Sequence, residues 1–201
     1  AQTAGRAAKG DALAALVTEI QACRVCALAL PHEPRPVVWV HAGARILIAG
    51  QAPGRRVHES GVPWDDPSGD RLRTWMQLDR EAFYDKRNIA VAAMGFCYPG
   101  TVKGADLPPR PECAPLWRPR LLPLLKNVRL TLLVGAYAHK YHLEAAKPTL
   151  GETVRAWLDY PASVMPLPHP SWRNSAWLKK NSWFDVELLP ELRRRVCLAL
   201  R

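Results

Sequence analysis

The sequence lacks any apolar run that approaches the roughly 18 residues of a membrane-spanning helix. Residues 1–11 are small and polar, so they lack the apolar segment of a secretory signal peptide. Internal repeats and low-complexity segments are absent as well. These absences predict a soluble protein of the cytoplasm, and 201 residues suffice for one domain, residues 1–201, around one core.

Acidic residues are scarce relative to basic ones. The chain has 18 Asp and Glu residues against 28 Lys and Arg residues, which leaves a formal charge of +10. A field of that sign attracts polyanions before any specific contact forms. Nucleic acid is therefore the predicted partner, and no membrane partner is expected.

The five cysteines are not expected to form a disulfide framework, because cytosolic thiols stay reduced and a chain of this size needs no cross-links. Cys23 and Cys26 form a C-x-x-C pair, and Cys97 and Cys113 stand 16 residues apart across a proline-rich segment. Four such cysteines can hold a zinc ion or an iron–sulfur cluster, or bind no metal. Cys197, the odd one, is predicted to be buried packing.

Short apolar segments alternate with amphipathic ones along the chain. Strands are predicted at residues 45–50, 88–94, 130–135 and 164–168, and helices from Asp11 as N-cap into Cys23 and at 72–78, 121–125 and 136–143. Six prolines in residues 98–119 predict a rigid loop. The pattern indicates an α/β fold, a three-layer α/β/α sandwich with a central, mostly parallel four-stranded sheet. Ligands bind such sheets beyond the carboxyl ends of the strands.

Four short segments near these strand ends carry the functional signal. They are Gly50-Gln-Ala-Pro-Gly54, Gly61-Val-Pro-Trp64, Ser68-Gly-Asp70 and His169-Pro-Ser-Trp-Arg-Asn174. In this order they resemble the motifs of the uracil-DNA glycosylase superfamily, and most of all its iron–sulfur families four and five. The resemblance runs from about Cys23 to Asn174. It implies a bacterial DNA repair enzyme that flips out uracil or a related deaminated base and hydrolyses its N-glycosidic bond with water.

The resemblance also implies residue roles. His169, Gln51 and Asp66 are the implied catalytic residues, and Gln51, Ala52, Trp64 and Asn174 the implied base-binding residues. The chemistry agrees, because the departing base gathers negative charge and needs donors such as His169 aimed at its carbonyl oxygen. An aromatic face such as that of Trp64 replaces the stacking lost on extrusion, which is worth about 1 to 3 kcal/mol per base.

Each of these residues has a structural alternative. His169, between two prolines, could simply end a strand, and Trp64 could belong to the core. Gln51 could hydrogen-bond only its own loop. Asp66 and Asp70 could be an ordinary helix start and cap.

The sequence departs from the superfamily pattern at two places. Ala52 stands where family one carries a water-positioning carboxylate. Families one and four carry an asparagine that reads uracil. Ala93 or Met94 stands at that place here, and family five lacks the asparagine as well. Uracil specificity is therefore open, and deaminated purines become possible substrates. The nearby carboxylates that could position water are Glu59, Asp65, Asp66 and Asp70.

The cysteines and the basic residues complete the resemblance. Cys23, Cys26, Cys97 and Cys113 correspond to the ligands of a structural [4Fe-4S] cluster, with zinc or no metal as the alternatives. DNA contact is expected from basic and aromatic residues that follow the motifs: Arg55, Arg56, Trp172, Arg173, Lys179 and Lys180, interleaved with Trp177 and Trp183. The lysines could instead be a solvated face, and residues 193–195 the exposed side of a terminal helix.

Three functional hypotheses follow from the sequence. The first is a monomeric, monofunctional glycosylase acting on DNA that contains a damaged base. The second is a DNA-binding module that kept the fold and the cluster but lost turnover together with the carboxylate missing at Ala52. The third is an unrelated hydrolase built on His58 and Glu59, for which no nucleophile motif exists.

Overall fold

A computed structural model describes the backbone of residues 2–201 and the side chains of residues 12–201. The strands are β1 (Ile46–Ala49), β2 (Ile89–Val91), β3 (Thr101–Val102), β4 (Ala105–Asp106), β5 (Leu130–Val134) and β6 (Val164–Leu167). The α-helices are α1 (Gln2–Gln21), α2 (Arg55–Ser60), α3 (Pro67–Met76), α4 (Arg80–Tyr84), α5 (Cys113–Leu121), α6 (Ala136–His142), α7 (Leu150–Arg155), α8 (Ser175–Lys180) and α9 (Leu189–Leu200). Short 3-10 turns lie at Ala27–Ala29, Leu122–Leu124, Trp157–Asp159 and Trp172–Asn174, and a π-helical turn at Phe184–Leu188.

Four strands form one parallel sheet in the order β2-β1-β5-β6. Ile48 of β1 pairs with Val91 on one side and with Leu132 on the other. The four predicted strands and their parallel arrangement are confirmed. Connections leave β1 and β5 toward opposite edges of the sheet, which opens a crevice beyond their carboxyl ends.

Side chains of β1 alternate between two cores, as the pleat of a strand requires. Ile46 and Ile48 pack in a cluster that includes Leu72 of α3 and Leu192 of α9. Leu47 packs on the other face of the sheet, in a cluster with residues of α1 and α5. The sheet therefore lies between two helical layers, which confirms the predicted three-layer sandwich. Among the helices of residues 2–201, none is both long and apolar enough to cross a bilayer.

Several predicted boundaries were wrong. The first helix begins at Gln2, so Asp11 lies within it and is not its N-cap. The helix expected at 121–125 begins earlier, at Cys113, and residues 122–124 form a 3-10 turn. Proline does not prevent α5, because Pro115 lies in its first turn, where no amide donor is needed within the helix, and Pro119 lies near its end.

The terminal helix α9 also differs from expectation. Its buried stripe is formed by Leu192, Val196 and Ala199. Cys197 is one position away from that stripe and is exposed, so the prediction of a buried Cys197 was wrong. Of residues 193–195, only the middle arginine is exposed, because its two neighbours donate to backbone carbonyls of Trp75, Ala162 and Val164.

Candidate functional site

A pocket of about 410 Å³ opens at the carboxyl ends of the parallel strands. Its walls combine the loop after β1, the segment before α3, the end of β2 and the loop after β6. The predicted catalytic and base-binding residues all line it: Gln51, Ala52, Trp64, Asp66, His169 and Asn174. The structure thus brings together side chains separated by more than 100 residues of sequence, although their chemical roles remain predictions.

His169 faces this pocket two residues beyond the end of β6. Its ring centroid lies 5.5 Å from that of Trp64, with the ring planes tilted by 33°. Burial lowers the pKa of His169, although the nearby carboxylates Asp66 and Asp106 oppose that effect. The imidazole is therefore neutral at neutral pH and can donate one N–H into the pocket.

The backbone around His169 is held from several sides. The Asn174 amide donates from Nδ2 to the His169 carbonyl at 2.7 Å. Arg71 of α3 donates to the Ser171 carbonyl at 3.1 Å. Beneath them, Nε2 of the buried His139 lies 3.1 Å from the Leu167 carbonyl. Asn174 thus supports the loop, and its predicted contact with a base remains a prediction; the supports from Arg71 and His139 had no motif to reveal them.

Trp64 is half-buried and forms a wall of the pocket. Its backbone is in the left-handed region, with φ of 59°. A methyl group at Gly50 would lie 3.2 Å from the Trp64 ring, so the ring packs directly on the end of β1. Trp64 therefore packs against the core, as the structural alternative predicted. Its ring also borders the pocket, where stacking on a base remains a prediction.

Gly69 permits the close approach of α3 to the Trp64 backbone. A Cβ atom at position 69 would lie only 1.7 Å from the Trp64 carbonyl oxygen, which also accepts from Arg73 at 3.1 Å. We therefore expect Gly69→Ala to displace Trp64 and to lower the free energy of unfolding by about 1 to 3 kcal/mol. Denaturant unfolding measures this loss. Thr74→Ala, an exposed position on the same helix, should stay within about 0.5 kcal/mol of the parent, and equal stability of both variants would contradict the contact.

Asp66 is the N-cap of α3, as the structural alternative predicted. Its Oδ1 accepts from the Gly69 amide at 2.7 Å, and Pro67 occupies the first position of the helix. Asp70 lies in the first turn, is exposed and pairs with Arg73 at 2.5 Å. Capping does not remove Asp66 from the site, because its side chain also lines the pocket.

The Gln51 side chain reaches a different segment from its own loop. Its Nε2 donates to the Leu107 carbonyl at 3.0 Å. The carbonyls of Gly50 and Gln51 accept from the amides of Met94 and Gly95, at 2.8 and 2.9 Å. The loop after β1 is therefore anchored both to the end of β2 and to the segment that follows β4.

A hairpin that was not predicted from the sequence precedes Leu107. Strands β3 and β4 pair antiparallel around Lys103 and Gly104, both with positive φ. Asp106 and Gly104 of this hairpin line the pocket. Two successive residues with positive φ are typical of a tight hairpin turn. In the sequence, the glycine of the Lys-Gly pair was the available signal of that turn.

The cysteines Cys23, Cys26, Cys97 and Cys113 line one common pocket beside the end of α1 and the start of α5. All four are free thiols. Burial, with a smaller contribution from the neighbouring cysteines, raises the pKa of Cys97 to about 11 and that of Cys113 to about 12. The Phe96 amide donates to Cys113 Sγ at 3.3 Å. Four half-buried cysteines around one pocket, with an amide donor aimed at one sulfur, are the kind of ligand set that an iron–sulfur cluster uses.

The arrangement of these sulfurs bears on which metal they fit. In the part of the chain that the structure describes, no three His, Cys, Asp or Glu side chains are grouped closely enough to hold one metal ion. Which metal or cluster, if any, the four cysteines bind therefore stays a prediction.

A buried arginine connects this region with the pocket. Arg118 of α5 is fully buried and donates to the carbonyls of Ala92 and Ala93, at 2.8 and 3.1 Å. It also contacts His142 Nε2 at 2.5 Å. Burial lowers the pKa of Arg118 to about 10, so the guanidinium stays charged at neutral pH; burial and Arg118 lower the pKa of His142 to about 4. Ala93 lines the pocket, so Arg118 fixes part of its floor.

The predicted DNA-binding residues are exposed, and two of them line the pocket. Trp172 is 76% exposed and lines the pocket together with Arg173, which donates to the Gly104 carbonyl of the hairpin. Four further basic side chains are exposed: Arg55, Arg56, Lys179 and Lys180. Trp177 and Trp183 do not join this surface; they pack edge to face with each other and with Phe184, because α8 turns that side toward the core.

The hydrolase hypothesis built on His58 and Glu59 receives no support. The His58 ring packs against that of His32, with centroids 4.1 Å apart. Glu59 is exposed and accepts from Arg55 at 3.1 Å. Neither residue is among those that line the pocket described above.

A comparison with models of protein families matches this chain to the uracil DNA glycosylase superfamily. The match spans residues 38–193, more than three quarters of the sequence. It includes the pocket-lining segments from the loop after β1 to the loop after β6, and the pocket residue Val37 lies just before it.

Proposed function

This chain belongs to the uracil-DNA glycosylase superfamily, and on that premise we propose that it excises uracil or a related deaminated base from DNA. The single observation that supports this proposal best is the placement of His169 and Trp64 on one pocket, with their rings 5.5 Å apart. One ring can donate to a base carbonyl, and the other offers an aromatic face. Such an enzyme extrudes the nucleotide from the helix before it acts.

Excision depends on stabilising opposite charges at the two ends of the breaking bond. The C1′–N bond breaks with its electron pair moving to the base, where negative charge accumulates on a carbonyl oxygen. The neutral imidazole of His169 donates to that oxygen and strengthens the contact as charge develops. The carboxylate of Asp66 contributes negative charge to the pocket wall, which favours the oxocarbenium character of the sugar.

The pocket floor argues for a broad choice of base. Ala93 presents only a methyl group where a uracil-specific relative would present an amide, and the Ala93 carbonyl is already occupied by Arg118. The remaining contacts are an imidazole donor, an aromatic face and backbone groups of the loop after β1. Every deaminated base carries a carbonyl oxygen, so these contacts suit uracil, hypoxanthine and xanthine alike.

We further propose a [4Fe-4S] cluster at the four cysteines. Cys23 and Cys26 follow α1, Cys97 lies between β2 and the hairpin, and Cys113 begins α5. When bound, the cluster would supply only a covalent cross-link among these three segments. It has no place in the chemical steps, because all four ligand positions belong to the protein.

A panel of oligonucleotides tests the proposed function. Each strand would carry one uracil, hypoxanthine or xanthine, in single-stranded and duplex form, and alkali would cleave any abasic site produced. We expect excision of at least uracil, with no cleavage before alkali because no lysine Schiff base forms. Binding to all substrates with no abasic product from any of them would instead indicate the DNA-binding module that has lost turnover.

DNA affinity should depend steeply on salt. Lys179 and Arg56 are exposed basic residues of α8 and α2, the helices that follow the two pocket loops, and each phosphate contact removed should lower the log–log slope of affinity against salt by about 0.7 to 0.9. Titrations of labelled DNA between dilute and physiological buffer measure this slope for Lys179→Ala and Arg56→Ala. Lys126→Ala is the matched control, because exposed Lys126 precedes β5 and lies at the opposite end of the sheet. An equal slope in all four proteins would contradict the proposed surface.

A further inference from the structure

The water that attacks the sugar needs a carboxylate, and the position that carries one in family one is Ala52 in this chain. The hairpin of β3 and β4 brings another acidic side chain to the same place. Asp106, the last residue of β4, lines the pocket opposite the loop after β1. A methyl group at Gly54 would lie 3.8 Å from Asp106 Oδ2, so no side chain separates this oxygen from that loop.

The hairpin is hydrogen-bonded to the loop after β1 and to the loop after β6. Gln51 donates to the carbonyl of Leu107, the residue after Asp106, at 3.0 Å. Arg173 donates to the Gly104 carbonyl at the turn. Both donors come from loops that line the pocket, one after β1 and one after β6. The position of Asp106 is therefore set by the same residues that build the rest of the site.

The two oxygens of Asp106 have different surroundings. Oδ1 accepts from the Thr101 hydroxyl at 2.9 Å, and Thr101 in turn contacts the Tyr98 hydroxyl. Oδ2 accepts no hydrogen bond from any residue whose side chain is described, and it faces the loop at Gly54. One oxygen thus orients the carboxylate while the other stays available to a water molecule.

Asp66 also has one engaged oxygen, so the two carboxylates differ in position: Asp106 Oδ2 lies within 4 Å of a methyl group placed at Gly54, and Asp66 does not. Asp66 Oδ1 is engaged by the Gly69 amide as the cap of α3, which ties the carboxylate to the helix. The charges of Asp66 and Asp106 both act on His169, which places both near the imidazole. The pocket thus offers two carboxylates, one committed to a helix end and one presented by a hairpin.

We propose that Asp106 is a catalytic residue that holds the attacking water and accepts its proton. This inference rests on the proposed glycosylase function. The water oxygen forms a bond to C1′ as the C1′–N bond breaks, and the electron pair of that bond leaves with the base. The water proton passes to Asp106 and then, through solvent, to the departed base. The products are an abasic sugar and a neutral free base, and Asp106 returns to its ionised form.

Single-turnover excision by Asp106→Asn tests the proposal, because asparagine keeps the size of the side chain and an acceptor for Thr101 but cannot take a proton. We expect the rate to fall by about 100-fold, at the lower end of what general-base catalysis contributes, with DNA affinity unchanged within a few-fold. Asp159→Asn is the matched control, since exposed Asp159 pairs with Lys147 at 3.6 Å outside the pocket, and it should excise at the parent rate.

Asp106→Ala adds a second readout. It leaves room beside Gly54, so added formate should restore part of the lost rate, which a purely structural role would not allow. A rate near that of the parent in Asp106→Asn, or a loss in Asp106→Ala that formate does not restore, overturns the assignment. Either result leaves the proposed function intact as long as the parent protein excises a base, whereas a parent without activity refutes the function itself.

Discussion

His169→Ala should bind DNA nearly as well as the parent protein and excise its base about 10²- to 10³-fold more slowly. The reason is that the imidazole contact strengthens only as charge gathers on the carbonyl oxygen of the departing base. In the ground state that oxygen carries little charge, so binding loses little. Single-turnover excision and equilibrium binding, measured on the same oligonucleotide, separate the two quantities.

Two further variants sharpen this test. His169→Gln keeps an N–H donor of similar reach and should fall between the parent and the alanine variant. His41→Ala removes an exposed histidine ahead of β1, at the far end of the sheet, and should leave the rate unchanged. Parent-like excision by His169→Ala would remove the imidazole from the mechanism.

Cys97→Ser should yield a colourless protein without iron and with a strongly lowered resistance to unfolding. A four-cysteine cluster absorbs broadly near roughly 400 nm through charge transfer from sulfur to iron, and the loss of one ligand destabilises the whole cluster. Because ligand binding is coupled to folding, the segments around Cys97 and the start of α5 would then lose their cross-link. Iron content, absorbance and thermal unfolding measure these effects together.

Cys197→Ser is the matched control for that experiment. Cys197 is exposed on α9 and does not line the cysteine pocket, so its variant should keep the iron, the colour and the stability of the parent. A parent protein that is colourless and iron-free, when prepared without oxidation, would contradict the cluster. Stoichiometric zinc in that protein would support the alternative.

The sheet was predictable from sequence because its strands are short apolar runs with distinct ends. Residues 46–49 are fully buried and lead directly into the loop that begins at Gly50, so both the strand and its functional end were visible. The loop at His169 was found in the same way. Placement at the carboxyl ends of parallel strands then predicted that the two loops would meet, although they lie more than 100 residues apart.

The hairpin that carries Asp106 could not be found by the same means. Its strands are two residues long and exposed, so they show no alternation of buried and exposed side chains. The prolines on either side of the turn predicted a rigid loop instead, so the turn was not recognised from the sequence. Its function depends on contacts with Gln51 and Arg173, which are set by tertiary packing rather than by any local pattern.

The exposure of Cys197 was missed for a related reason. An apolar segment of a helix does not by itself show which of its residues face inward. The buried stripe of α9 is set by where the helix lies on α3 and the sheet, and it runs through Leu192 and Val196. Cys197 directly follows Val196, so its side chain lies on another side of the helix, outside the buried stripe.

Arg118 links the helix that begins at Cys113 to the pocket wall at Ala93. One guanidinium holds the carbonyls of Ala92 and Ala93 from a helix that begins at Cys113. Its planar fork serves several acceptors at fixed angles, which a lysine cannot do. We therefore expect that a shift of α5 after the loss of a cysteine ligand moves Ala93 at the pocket wall. The proposed excision rate would then fall, although the cysteines take no part in the chemistry.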